Sequence, residues 1–187
     1  MKSDVRCPYS SLLELLHYRK SSRNFSTKRL EPETIERIKK ATQLSASCFN
    51  NQPWRFLFLY EEKALEKGRQ ALKEGNSWAE KAPLLVVGFS RADSDCQTRD
   101  GRDYYLFDLG LASQLIMLQA TELNLSARPM AGFYPQKIKT LFNIDDEYTV
   151  MVMIAIGYDA DETSDGDKPE RKRNPLHENF FDNRFQD

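Results

Sequence analysis

Histidine, cysteine and net charge are all scarce in this chain. Only His17 and His177 occur among 187 residues, far apart, so a histidine-based metal site is not expected and no metal is assigned. The three cysteines, Cys7, Cys48 and Cys96, are odd in number and widely spaced. They give neither a disulfide framework nor a zinc pattern, which points to a reducing cytoplasm. Cys48 has no histidine near it in sequence and reads as a small filler rather than a nucleophile. The 27 basic and 28 acidic residues leave a formal net charge of -1, which removes the global basic field that nucleic acid requires. No apolar stretch is long and pure enough to span a bilayer. The opening Met1-Lys2-Ser3-Asp4 lacks the apolar core of a signal peptide, and no internal repeat is visible.

What is present fits one globular α+β domain spanning 1–187. The hydrophobic fraction is 40% and the charged fraction 29%, ordinary for a packed core. Leucines 12, 13, 15 and 16 predict a short helix over 11–18, buried on one side. Glu31-Pro32-Glu33 opens a second helix, with proline in its first turn and acids at its positive end. Strands are expected over 54–60, 84–89, 125–130 and 150–156, where apolar, aromatic or β-branched residues run together. Helices are expected over 61–74, ended by Gly75, and over 135–142. The segment 106–123 is apolar nearly all round, so it must be buried on most of its surface, either centrally or against a second subunit. Residues 91–103 are almost wholly polar and read as a solvated loop or a lid. Residues 159–170 are acidic. The terminal 171–185 reads as an extended arm whose Phe180, Phe181 and Phe185 need something to pack against.

Three stretches carry candidate chemistry. Arg19-Lys20-Ser21-Ser22-Arg23 offers guanidinium groups and hydroxyls suited to a phosphate, although cations at a helix C-terminus also serve simply to balance the dipole. Arg171-Lys172-Arg173 adds a second cationic group. The run from Ser45 to Trp54 packs hydrogen-bonding side chains, a rigid proline and a large aromatic into ten positions, and can edge and face a flat heteroaromatic ring. Its plainer reading is a polar helix-to-strand connection. Pro129 to Phe133 is a turn after a strand, in which Gly132 permits positive φ or close backbone approach to a ligand.

In order and spacing these pieces resemble the nitroreductase family of FMN-dependent oxidoreductases, from about Leu12 to Phe181. Arg19-Lys20-Ser21-Ser22-Arg23 resembles the family's Arg-Arg-Ser-x-Arg signature, with Lys20 in place of an arginine. Ser47 to Trp54 resembles its Ser-x-x-Asn-x-Gln-Pro-Trp loop. Asn76 resembles the asparagine at the flavin's pyrimidine edge, and Asp108 to Ala112 the start of the long central helix. Pro129 to Phe133, with Ala131 and Gly132, resembles the segment whose backbone faces the flavin. Arg173-Asn174-Pro175-Leu176 resembles the C-terminal Arg-Lys-Pro-Leu, which Arg171 joins.

The resemblance implies a homodimer with a mostly antiparallel central sheet flanked by helices. FMN is bound at the subunit interface, and the arm 170–187 packs on the partner subunit. It implies that Arg19, Arg173 and Arg171 grip the phosphate, supported by Lys20 and Ser21, and that Arg23 stabilises the reduced flavin near N1 and O2. Asn50 and Gln52 would reach the flavin from the partner chain, and Ser47 of the same loop would also bind the cofactor. The implied activity is transfer of reducing equivalents from NADH or NADPH via flavin N5 to nitroaromatic, quinone or related acceptors, in a ping-pong cycle without a catalytic side chain. Alternatives of the same fold are a flavin-binding or sensory protein without efficient turnover, and a specialised enone or halophenol reductase. Nucleic-acid binding through the 171–173 tail is disfavoured by the near-neutral charge.

Overall fold

A computed structural model describes residues 9–160 and 171–185. The acidic stretch 161–170 and Cys7 lie outside the described residues. Helices α1 (Leu12–Tyr18) and α2 (Pro32–Gln43) precede strand β1 (Arg55–Leu59) and helix α3 (Glu62–Arg69). Strand β2 (Leu84–Ser90), helix α4 (Tyr104–Glu122) and strand β3 (Ser126–Met130) follow, then helix α5 (Pro135–Phe142), strand β4 (Thr149–Gly157) and helix α6 (Leu176–Asn179). Short 3-10 turns cover Cys48–Asn50, Glu74–Lys81 and Ala92–Ser94.

The four strands form one antiparallel sheet in the order β1-β2-β4-β3. Successive strand side chains point to opposite faces, so β2 sends Leu85 and Val87 one way and Leu84 and Val86 the other. The first face packs with Met153, Ala155 and Met130 against Leu65 of α3 and Ile138 of α5. The second packs with Ile154 and Ile156 against Ile35 and Ile38 of α2 and Ile116 and Ala120 of α4. Burial on both faces is why β2 and β4 read as unbroken apolar runs rather than alternating ones.

Three expectations are corrected and one is narrowed. Helix α1 forms, with Ser11 capping Glu14 N and Glu14 reaching back to Ser10, but it buries none of its residues. Its Leu12 and Leu13 stand 65% and 66% exposed. Helix α3 stops at Arg69, five residues short of Glu74, because Leu72 leaves the helix to pair with Phe133. The expectation for helix α4 is narrowed rather than overturned: the helix buries Leu109, Ala112, Ile116 and Ala120 and leaves Phe107 and Leu111 exposed, so of the two coverings expected, burial within this subunit is only partial. The arm contains one short helix, α6, and its Leu176, Phe180, Phe181 and Phe185 are exposed.

Candidate functional site

The cationic group is assembled where the arm meets α1. Helix α1 ends at Tyr18, and Arg19 leaves it in a non-helical conformation. Arg171 Nη2 donates to the carbonyls of Leu16 and His17, at 3.0 and 2.7 Å, so the arm is fastened to the negative end of α1. Arg19 Nη1 donates to Ser21 Oγ at 3.2 Å. Burial, and then the positive charges of Arg171 and Arg173, lower the pKa of Arg19 from its ordinary value. None of the ion pairs among the described residues involves Arg19, Arg171 or Arg173. Three guanidinium groups thus gather with no carboxylate between them, an arrangement that an anion completes.

Lys20 behaves differently. Its ammonium is paired with Asp159, which also accepts from Ser126 Oγ at 3.1 Å. Phe25 bridges to the same Asp159, and Ser26 N donates to Tyr158 O at 2.9 Å, so Lys20 helps to clip the 20–26 segment onto the end of β4.

A residue that the sequence did not single out joins the two halves of the site. Arg128 of β3 donates through Nη1 to the Ser21 carbonyl at 2.8 Å, and its guanidinium lies 5.1 Å from the Trp78 ring centroid. Burial, then the nearby positive charge of Arg23, lower its pKa. Trp78 Nε1 in turn donates to Asn76 Oδ1 at 3.1 Å and to the Gly75 carbonyl at 3.2 Å, and Asn76 Nδ2 donates to the Gly132 carbonyl at 2.8 Å. An unbroken chain of contacts therefore runs from Arg19 through Ser21, Arg128, Trp78 and Asn76 to Gly132. The one sequence signal for Arg128 was a lone cation inside a short strand.

The segment 131–134 is strapped to 71–73 by Lys73 N to Gly132 O, Tyr134 N to Ala71 O and the Leu72–Phe133 bridge. The expectation of positive φ at Gly132 is overturned, since Gly101 is the described glycine with that backbone. Gly132 is required for space instead: a Cβ there would collide with Asn76 Nδ2. Ala131 beside it is exposed.

The loop before β1 forms a second unit. Phe49, Asn50 and Gln52 all have left-handed backbone, with φ of 47°, 57° and 51°. Ser47 Oγ accepts from Gln52 N at 3.0 Å, Gln52 Nε2 donates to Asn50 O at 3.2 Å, and Arg55 Nη1 donates to the carbonyls of Gln52 and Trp54. The bonds of Asn50 and Gln52 stay within 47–55, and Phe49 is 92% exposed, so the loop presents these groups outward rather than to its own core. Strained backbone of this kind, roughly 1–3 kcal/mol per residue, persists where surrounding contacts over-determine it. The structure does not bring Ser47, Asn50 or Gln52 into the Arg19–Gly132 chain.

Cys48 departs from its expected role as a filler. It is disulfide-bonded to Cys96, with the Cα atoms 6.1 Å apart. The two are 48 residues apart in sequence, but Arg55 at the start of β1 pairs with Phe89 near the end of β2. The segments entering β1 and leaving β2 therefore emerge side by side, held also by Ser90 Oγ to the Pro53 carbonyl at 2.8 Å. Beneath them Asp108 Oδ2 accepts from Cys48 N at 2.8 Å, and Asp95 Oδ1 accepts from Asn51 Nδ2 at 3.2 Å. Both carboxyls are buried, and Asp95 corrects the picture of 91–103 as a solvated loop.

Comparison with known proteins bears on the family and the fold. The profile of the nitroreductase family matches residues 16–87 and 69–158. A protein of Archaeoglobus fulgidus, provisionally named NADH dehydrogenase/NAD(P)H nitroreductase, is 28% identical over 155 residues, covering 80% of this chain and 86% of its own length. A solved structure described as an oxidoreductase containing FMN is 27% identical, with a TM-score of 0.81 over 97% of this chain and 96% of its own. A nitroreductase family protein of Clostridium difficile 630 shares the fold at 24% identity, with a TM-score of 0.83 over 94% of this chain and 99% of its own. Among the described residues no helix is long and apolar enough to cross a membrane. The match across most of the chain, on a sheet and helices of the same arrangement, shows that this protein belongs to the nitroreductase family.

Proposed function

We propose that the protein is an FMN-dependent oxidoreductase that takes reducing equivalents from NADH or NADPH and passes them to nitroaromatic, quinone or related organic acceptors in a ping-pong cycle. The observation that carries this reading is the gathering of Arg19, Arg171 and Arg173 without an acid, linked through Ser21, Arg128 and Trp78 to the Asn76–Gly132 edge. One end of that chain suits a phosphate dianion, and the other offers amide groups, with Gly132 letting the Asn76 amide lie directly against the backbone. These are the features a flavin mononucleotide needs, and the residues fit it.

When bound, FMN supplies the hydride acceptor and donor that no side chain here can provide. The chain's own residues bind and orient it. Arg19, Arg171 and Arg173 hold the phosphate, and Ser21 fixes the Arg19 guanidinium. Arg128 keeps the Ser21 carbonyl and the Trp78 ring in register, and Asn76 presents its remaining amide hydrogen and lone pair to the ring edge. Arg23 places a positive charge at the pyrimidine edge, where a charge-assisted bond contributes about 1.5–3 kcal/mol. Lys20 remains a clip to Asp159 rather than a ligand.

The working unit is a homodimer in which Ser47, Asn50 and Gln52 serve the site of the opposite subunit, and the arm packs across it. Exposed Leu12 and Leu13 on α1, Phe107 and Leu111 on α4, and the arm's phenylalanines supply the uncovered apolar surface for that contact. The protein acts in the cytoplasm, where NADH and NADPH are at hand. The test is an absorption spectrum of the purified protein followed by anaerobic titration with NADH and NADPH. A flavin spectrum that bleaches, and recovers on adding a nitroaromatic or quinone, is expected. A colourless protein that takes up no FMN on reconstitution refutes the cofactor, and a flavin that neither nucleotide bleaches refutes turnover.

A further inference from the structure

Cys48 and Cys96 sit apart from the arginine–glycine chain and are not used by the function proposed above. Both are partly exposed in the single subunit, one on the turn Cys48–Asn50 and the other just after the turn Ala92–Ser94, so a small reagent can reach them there. Their 6.1 Å Cα separation is ordinary for a disulfide. A bond whose role is only to staple two loops has no need of acids, yet two lie directly under this one. Asp108 is 1% exposed and Asp95 7% exposed. The carboxyls face one another, so a charge on Asp108 would stand against Asp95 in a buried place. Burial first, and the charge of Asp95, push the Asp108 carboxyl above its ordinary range against the opposing Cys48 N–H bond. Asp95 Oδ2 is buried with no other hydrogen-bond partner, which a proton held between the two carboxyls answers. A carboxylate oxygen of Asp95 lies within 4.8 Å of both sulfurs.

We propose that Cys48 and Cys96 are a thiol–disulfide redox site that exchanges with small dithiols, with the Asp95–Asp108 pair supplying the proton to the departing sulfur. In the reductive direction a thiolate of the dithiol attacks one cysteine sulfur, forming a mixed disulfide and breaking the Cys48–Cys96 bond. The released sulfur takes the proton held by the carboxyl pair. The reagent's second thiol then closes on the mixed disulfide, frees the other cysteine and departs as a cyclic disulfide. Two electrons pass to the protein, and the two protons lost by the reagent end on Cys48 and Cys96, one of them after replenishing the carboxyl pair. The half-exposed bond in a cytoplasmic setting fits reversible rather than structural use, because disulfides there are usually transient, catalytic or sensing. Reduction also cuts the covalent tie between the Ser45–Trp54 loop and the 91–103 segment.

The test needs no FMN and so stands or falls separately from the flavin reading. The full-length protein is oxidised, its thiols are alkylated, and the linkage is mapped by peptide mass spectrometry. Cys48 linked to Cys96 is expected, and either cysteine free or joined to Cys7 overturns the site. Reduction by dithiothreitol is then timed for the wild type, Asp108→Asn and Asp95→Asn, with folding of each checked by circular dichroism and thermal melting. Either variant that folds should be reduced about 100-fold more slowly at unimpaired thermal stability. Equal rates, or slowing that follows a loss of stability, overturn the carboxyl role. Limited proteolysis within 91–103 should speed up on reduction and match the Cys48→Ser/Cys96→Ser double variant, and cleavage unchanged by reduction overturns the tie.

Discussion

Gly132→Ala places one methyl group at the tightest point of the ring-facing edge. The new Cβ meets Asn76 Nδ2, and Asn76 cannot yield without losing its 2.8 Å bond to the Gly132 carbonyl and disturbing the 3.1 Å bond from Trp78. Each neutral hydrogen bond contributes a net of about 0.5–1.5 kcal/mol. Because Gly132 lacks positive φ, alanine also restricts the unfolded chain and returns about 0.4–1 kcal/mol. The expected balance is a loss of about 1–2 kcal/mol, or about 2–8 °C in melting temperature for a chain of this size. FMN should bind roughly tenfold more weakly, since one ring-edge bond is misplaced. The control is a double-mutant cycle with Asn76→Ala, measured by urea denaturation of the apoprotein and by FMN fluorescence quenching. With the Asn76 amide gone the methyl group meets no obstacle, so Gly132→Ala should stabilise by about 0.4–1 kcal/mol, and the coupling should reach about 1 kcal/mol or more. Strictly additive effects would refute the steric account.

Further outcomes follow from the same geometry. Arg23→Ala should lower the reduction potential of bound FMN by roughly 30–65 mV for a lost bond of about 1.5–3 kcal/mol, measured by dye-equilibrated titration, and an unchanged potential defeats its placement at the pyrimidine edge. Arg19→Met and Arg173→Met should each weaken FMN binding at least about tenfold while leaving riboflavin binding almost unaltered, because the phosphate alone is lost; equal losses for both ligands contradict the phosphate assignment. The raised pKa of Asp108 means that the folded protein keeps a proton the unfolded chain gives up above about 3.9. Stability should therefore fall as pH climbs from there through the raised value, and Asp108→Asn should flatten that slope in a melting series. Matching slopes in wild type and variant would dismiss the shared proton. Gel filtration with light scattering should give a dimer that Phe180→Ser/Phe185→Ser weakens, and a wild-type monomer would remove the two-subunit site.

The strands most plainly written in the sequence are those buried on both faces. Leu84 to Phe89 and Val150 to Ile156 needed no alternation to be seen, and both pair as the two inner strands. The cationic groups at either end of the chain were legible because guanidinium chemistry is carried by residue type. What brings them together, Arg171 lying on the α1 carbonyls, depends on tertiary placement. Arg128 was missed because one cation in a five-residue strand has no period to betray it. The Cys48–Cys96 bond was missed for a different reason. Counting cysteines ignores strand register, and it is the Arg55–Phe89 pairing that sets the two segments abreast. The leucines of α1 were read as core because spacing reveals an apolar stripe but not which surface covers it.

The fastening of Arg171 to the end of α1 would, on the proposed flavin reading, tie cofactor retention to the 171–185 arm. A version truncated after residue 170 would keep its sheet and both hydrophobic layers, since no described residue beyond that point belongs to either core cluster. It would nevertheless forfeit Arg171 and Arg173, two of the three guanidinium groups proposed to hold the phosphate. Proteolytic nicking near the tail should thus yield a well-folded but colourless species, and colour, rather than secondary structure, is the faithful gauge of whether a preparation is intact.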